Sequence, residues 1–252
     1  MALDGKVALI TGSSRGIGRA SALALAARGA RVAVHFRDNE DAAARTLADL
    51  AGDGHCAVKA DVSDPHEVQR LVEEVTGRCG GLDVLVNNAG IGGHHALEEV
   101  DYEEWRSAWQ RILATNLLGP ANLSWCAARF MMTRGGGRIV NVSSRGAFRG
   151  EPRQPAYGAS KAGLNALGQS LAQALAPHGV LVFTVAPGFV ETDLAAARLA
   201  GSGGDELRAQ SPFKRVARPE EVAAVVAYLA AEAPEFMSGC IVDVNGASYL
   251  RS

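Results

Sequence analysis

Thr11-Gly12-Ser13-Ser14-Arg15-Gly16-Ile17-Gly18 stands between the uninterrupted apolar run Val7 to Ile10 and a helical pattern that opens at Arg19-Ala20. A short apolar run, a glycine turn and a helix make the first βα unit of a parallel sheet. In that setting glycines let the backbone approach a pyrophosphate, and the helix N-terminus offers unpaired N–H groups and the positive end of its dipole. The spacing is GxxxGxG and not the commoner GxGxxG, so the pointer to a dinucleotide comes from the turn and its context together. Gly12, Ser14, Arg15, Gly16, Ile17 and Gly18 are the candidate contacts, although a strand–helix junction can carry glycines for packing alone.

Outward from this turn, short β-branched runs alternate with Ala- and Leu-rich runs of helical period, the pattern of a parallel sheet covered on both faces. Strands are predicted at Val7 to Ile10, Arg31 to Phe36, Cys56 to Ala60, Val84 to Val86, Arg138 to Val142, Val180 to Val185 and Cys240 to Val244. Helices are predicted near 16–28, 40–50, 66–77, 101–133, 156–176 and 219–231. The expected fold is α/β, a doubly wound Rossmann fold with a seven-stranded parallel sheet, in a single domain over 1–252. The irregular stretch from Pro187 to Pro219 is long for a compact domain, and such segments are often binding loops. A substrate lid is expected at about 188–218.

Composition narrows the partners. The 252 residues carry 25 Lys and Arg against 27 Asp and Glu, a net charge of −2 with no basic block, so no nucleic acid is expected. Cys56, Cys79, Cys126 and Cys240 form neither a CxxC pair nor a Cys/His cluster, which predicts reduced cysteines and no metal. The longest apolar run, Val222 to Ala231, is far short of the ~20 residues of a membrane span, so no membrane and a cytoplasmic location are expected.

The second strand ends in Phe36-Arg37, where an acid would bind a ribose hydroxyl. Arg37, with Arg15 from the glycine turn, suits a 2′-phosphate, so NADP(H) is expected over NAD(H). The competitor is Asp38, which lies beyond the strand end and serves equally as a turn or cap residue. Further on, Tyr157 and Lys161 stand at i and i+4 at the start of a helical run, on one face. A nearby ammonium stabilises a phenolate, so Tyr157 is expected to exchange a proton near neutral pH.

This pair follows Ser143-Ser144 at the end of the fifth strand, with Asn87-Asn88-Ala89-Gly90 after the fourth and Asn116 between them. The ordered set TGSSRGIG, Asp61-Val62, NNAG, TNLLG, VNVSS, YGASK and Ala186-Pro187-Gly188 covers nearly the whole chain. It resembles the short-chain dehydrogenase/reductase family, in overall layout its 3-oxoacyl-acyl-carrier-protein reductases. The resemblance implies a catalytic tetrad of Asn116, Ser144, Tyr157 and Lys161, and hydride transfer between nicotinamide and a carbonyl or secondary alcohol. Ser144 is preferred to Ser143 by its separation from the tyrosine, and because adjacent strand residues face opposite ways.

By the same resemblance Tyr157 donates the proton, Ser144 binds the reacting oxygen, Lys161 holds the nicotinamide ribose and Asn116 anchors a proton-supplying water chain. Asn88, Ala89 and Gly90 would lie along the adenosine ribose, Asp61-Val62 beside the adenine, and Pro187, Gly188, Val190 and Thr192 beside the nicotinamide. A small-molecule carbonyl or alcohol substrate and a homotetramer formed through the helices near 101–133 and 156–176 are implied. A sugar, polyol or steroid dehydrogenase, or a non-catalytic NADP-binding protein, are the alternatives.

Several residues stand outside that pattern. Asn245-Gly246-Ala247 replaces the family's usual Asp-Gly-Gly. His94 and His95 are expected to be solvated loop residues or, failing that, substrate contacts. Arg145, Arg149 and Arg153 are expected on an exposed loop as soluble surface or, failing that, as attractors of an anionic substrate, and Trp105, Trp109 and Trp125 packed against another helix. Arg129, Arg134 and Arg138 are candidates for a carrier-protein docking surface.

Overall fold

The computed structural model of the chain describes residues 2–192, 196, 199–201 and 203–251. Seven strands form one parallel sheet: β1 Val7–Ile10, β2 Arg31–Phe36, β3 Cys56–Lys59, β4 Val84–Asn87, β5 Gly137–Val142, β6 Val180–Pro187 and β7 Ile241–Val244. Their order is β3-β2-β1-β4-β5-β6-β7, and each neighbouring pair is parallel. From β1 the chain winds outward to β3, then crosses back so that β4 pairs with the other side of β1. Winding therefore reverses between β1 and β4, and the carboxyl ends of these strands frame the crevice where such sheets bind ligands.

Both faces of the sheet are buried, which is why the strands read as nearly continuous apolar runs. Ala8 and Ile10 point into one layer with helices α1 Gly16–Ala26, α2 Glu40–Ala48 and, near the chain's end, Pro219–Ala231. Val7 and Leu9 point into the other, with α3 Pro65–Cys79. Leu9, Ile10, Leu25, Leu71 and Leu85 are fully buried, each contributing about 1.5–3 kcal/mol of transfer free energy.

The long pattern predicted over 101–133 is two helices, α4 Tyr102–Leu113 and α5 Gly119–Met132, joined by a π-helical turn at Ala114–Leu118. Pro120 explains the break. It has no N–H for the carbonyl four residues back, that of Asn116, so the α-helical ladder cannot run through. After β5 come α6 Gly146–Arg149 and the 21-residue α7 Pro155–Leu175, which also packs in the second layer. The stretch expected to be irregular contains α8 Gly204–Ala209, and α9 is Pro219–Ala231. Residues 193–195, 197, 198 and 202 of the expected lid lie outside the described residues.

Candidate active site

The glycine turn is held from the two strands beside β1. Gly12 has φ +64°, the left-handed conformation that glycine adopts freely, and a Cβ on Gly18 would stand 2.3 Å from the Gly12 carbonyl oxygen. From the end of β4, the Asn88 side chain donates to the carbonyls of Thr11 (2.8 Å) and Gly12 (3.2 Å). From β2, His35 Nδ1 accepts the Gly12 N–H at 2.9 Å while Nε2 lies 3.0 Å from the Ala60 carbonyl. Those partners fix a neutral ring with its proton on Nε2. Burial agrees, pulling the His35 pKa down to about 4. His35 was not among the residues singled out in the sequence, yet a lone histidine in the apolar run RVAVHF opposite a glycine turn was the signal for it.

A phosphate-bearing cofactor fits this turn. No side chain caps α1 and no acid lies in its first turn, so its N-terminal dipole end is left for an anion. Thr192 Cγ2 would be 3.2 Å from a Cβ on Gly16, which brings the segment after β6 against the glycine turn. Val190 is buried beside it, Gly188 N–H donates to Val244 at 3.0 Å, and Val62 is buried at the end of β3. Arg37 and Asp38 are both exposed and joined by a 2.7 Å ion pair. Burial works against the Asp61 carboxylate, but two hydrogen bonds from Ser63 and the charge of Arg37 hold its pKa below the ordinary value.

Across the crevice, α7 carries Tyr157 and Lys161 toward the end of β5. Tyr157 lies near enough to Ser144 for the serine to influence its titration, and Ser144 Oγ accepts the Gly146 N–H at 3.0 Å. Ser143 Oγ donates to the Lys161 carbonyl at 3.2 Å. Lys161 Nζ donates to the Val142 carbonyl at 2.8 Å and stands 5.9 Å from the centre of the Tyr157 ring. Its side chain is buried, which lowers its pKa to about 8. Burial raises the Tyr157 pKa, with the nearby Ser144 opposing it, so the shift is opposite to the one expected from the nearby ammonium.

Asn116 lies on the π turn and is fully buried. Its amide clasps Ile91, donating to the carbonyl and accepting from the N–H at 2.8 Å each, and donates to Ser160 Oγ at 3.1 Å. A Cβ on Gly90 would lie 3.4 Å from both Asn116 Oδ1 and Lys161 Nζ, so the bare backbone of Gly90 sits where the two meet. The four tetrad residues therefore gather at the carboxyl edge of β4 and β5. The Asn116 side chain, however, is committed to backbone and to Ser160.

Other expectations change with the structure. His95 is buried and not solvated: its Nε2 accepts the Ala156 N–H at 3.1 Å, satisfying a first-turn donor of α7, and Nδ1 faces the Gly93 carbonyl at 2.7 Å. The absence of Ser, Thr, Asp or Asn before Pro155 was the signal that α7 needs a distant partner. His94 is exposed and paired with Glu99. Arg145 is buried over the Phe189 ring and bonded to Gln210, not on an exposed loop, whereas Arg149 and Arg153 are exposed. Trp125 is 66% exposed, not packed; Trp105 and Trp109 are partly buried against each other. Arg138 turns inward to the carbonyls of Leu229 and Ala233, leaving only Arg129 and Arg134 of the docking candidates on the surface.

Comparison with known proteins places this geometry. A family model described as Enoyl-(Acyl carrier protein) reductase matches residues 12–247. The chain belongs to the short-chain dehydrogenase/reductase family. The 3-oxoacyl-[acyl-carrier-protein] reductase FabG of Vibrio cholerae is 39% identical over 254 residues, 99% of this chain and 100% of that one. FabG of Escherichia coli is 38% identical over 250 residues, again 99% and 100%. A crystal structure of a short-chain type dehydrogenase/reductase from Mycobacterium marinum superposes with a TM-score of 0.89 at 36% identity, covering 98% of this chain and 96% of the other. The chain is an oxidoreductase that acts on a carbonyl or hydroxyl group with a nicotinamide cofactor. No described helix is long and apolar enough to cross a membrane, and among the described residues no group of three or more His, Cys, Asp or Glu is placed to hold a metal ion.

Proposed function

We propose that this chain is an NADPH-dependent reductase of the keto group of 3-oxoacyl thioesters, working as a homotetramer. The observation that carries the reading is the gathering of Ser144, Tyr157 and the buried Lys161, whose Nζ is 5.9 Å from the Tyr157 ring centre and 2.8 Å from the Val142 carbonyl at the end of β5. The matches to 3-oxoacyl-[acyl-carrier-protein] reductases across whole chains support the substrate class.

Gly12, Ser14, Arg15, Gly16, Ile17 and Gly18 would hold the pyrophosphate; Asn88, Ala89, Gly90, Asp61 and Val62 the adenosine; Pro187, Gly188, Val190, Thr192 and Lys161 the nicotinamide end. Arg37 and Arg15 favour a 2′-phosphate, which is the reason for NADP(H). When bound, the nicotinamide supplies the hydride. Ser144 then binds the carbonyl oxygen and stabilises its developing negative charge, and Tyr157 gives that oxygen a proton.

With burial holding its pKa above that of an ordinary phenol, Tyr157 is protonated at neutral pH, the form a proton donor needs. Lys161, with a pKa near 8, is mostly cationic at neutral pH and steadies the tyrosinate left after transfer. Asn116 holds the Ile91 backbone and Ser160, and with them the register of β4 against α7. The segment 188–218 would close over the substrate.

The test is to follow nicotinamide absorbance as NADPH meets a short 3-oxoacyl thioester. Loss of the reduced cofactor, with formation of the 3-hydroxy product, is expected. Binding of NADPH with no turnover of the thioester but turnover of a sugar, polyol or steroid would replace the substrate class; no turnover of any carbonyl would remove the catalytic reading.

A further inference from the structure

Cys56 opens β3, the edge strand of the sheet, and Cys79 closes α3, the helix packed on that strand. Both side chains are buried, and their sulfur atoms are 3.1 Å apart. That is about 1 Å beyond the ~2.05 Å of a covalent S–S bond, with the two Sγ atoms already facing each other. Neither residue belongs to the site described above. Cys56 begins β3, whereas the cofactor edge, marked by Asp61-Val62, follows the other end of the strand.

The surroundings divide the pair into two roles. Arg31 from β2 donates to the Cys79 carbonyl at 2.7 Å, and Arg78 reaches across from α3 to the Ala57 carbonyl of β3 at 3.0 Å while paired with Glu74 at 2.8 Å. The hydrogen bond from Cys56, with the charges of Arg31 and Arg78, brings the Cys79 thiol down to about 7 despite its burial, while Cys56 is pushed up. The other two cysteines are solitary, and burial raises both. A thiolate beside cations with a second thiol in contact is the arrangement of a nucleophilic and a resolving cysteine.

We propose that Cys56 and Cys79 form a redox site that a hydroperoxide converts to an intramolecular disulfide. The Cys79 thiolate attacks one peroxide oxygen and the O–O bond breaks, giving Cys79 sulfenic acid and hydroxide, which takes a proton and becomes water. Cys56 sulfur then attacks Cys79 sulfur, the S–O bond breaks and a second water leaves with the Cys56 proton. Two thiols and one hydrogen peroxide give one disulfide and two waters; the sulfurs lose two electrons to the peroxide. A dithiol reductant reverses the change. The bond ties the edge strand to its covering helix and leaves the catalytic edge free.

The full-length chain is treated with hydrogen peroxide, quenched, denatured and alkylated, and its intact mass and cross-linked peptides are measured. The expected product accepts alkylation at two of its four cysteines and joins the peptides of Cys56 and Cys79 within one chain. Its melting temperature rises by about 5–10 °C and returns after dithiothreitol, with catalytic activity within about twofold. Cys56→Ser should stop at a Cys79 sulfenic acid trapped by dimedone, and Cys79→Ser should give neither adduct nor cross-link. Four alkylatable thiols after treatment, oxygen addition without a cross-link, or a cross-link only between chains would overturn the proposal. Those readings come from the unaltered protein and do not depend on either variant folding.

Discussion

Tyr157, Arg37 and His35 show how different the demands on single side chains are within one site. Arg37 is exposed and already paired with Asp38, so its value to a 2′-phosphate is that of one charge-assisted contact. Arg37→Ala should raise the KM for NADPH about tenfold and leave the KM for NADH nearly unchanged, as read from initial rates. His35 is buried and neutral, and its depressed pKa has a consequence for stability. The unfolded chain binds a proton at about 6.5 and the folded one only near 4, so the native state is penalised as pH falls through that interval. About 3 kcal/mol should be lost between pH 6.5 and 4, and His35→Asn should flatten that part of a urea-denaturation pH profile. A profile as steep in the variant as in the wild type would remove His35 as the cause.

At the scale of elements, the helix that presents Tyr157 is fixed at its start by a residue far away in sequence. His95→Ala leaves the Ala156 N–H without its partner and opens space beside Trp105, which should cost about 1–3 kcal/mol in urea unfolding. Because that helix positions the phenol, kcat should fall several-fold while NADPH affinity holds. The strands were legible because sheets buried on both faces demand unbroken apolar runs, and RVAVHF and VLVFTVAP show it plainly. The break at Ala114–Leu118 was not, because apolar periodicity continues through it and only the Gly119-Pro120 pair marks the change. The motifs TGSSRGIG and YGASK made the candidate site legible, since their spacing is local. The roles of His35 and His95 were hidden, since each acts on backbone brought near by the fold.

For the whole molecule, the alternation of strand and helix implied a doubly wound sheet, and the crossover from β3 to β4 sets the crevice. What chain alternation does not convey is which outer surface is covered. Leu118 is 56% and Trp125 66% exposed about two turns apart, an apolar surface on the segment proposed for the subunit contact. Sedimentation should give about four times the 26.2 kDa chain mass, and Trp125→Glu should shift the protein to smaller species. A wild-type chain that sediments as a monomer would contradict the tetramer. The proposed proton transfer turns on the Tyr157 phenol. The most direct measurement is turnover of NADPH and a 3-oxoacyl thioester by Tyr157→Phe, with NADPH binding titrated separately. Unchanged binding with turnover lowered at least ~10²-fold is the expected result; near-normal turnover would contradict the assignment of Tyr157 as the proton donor.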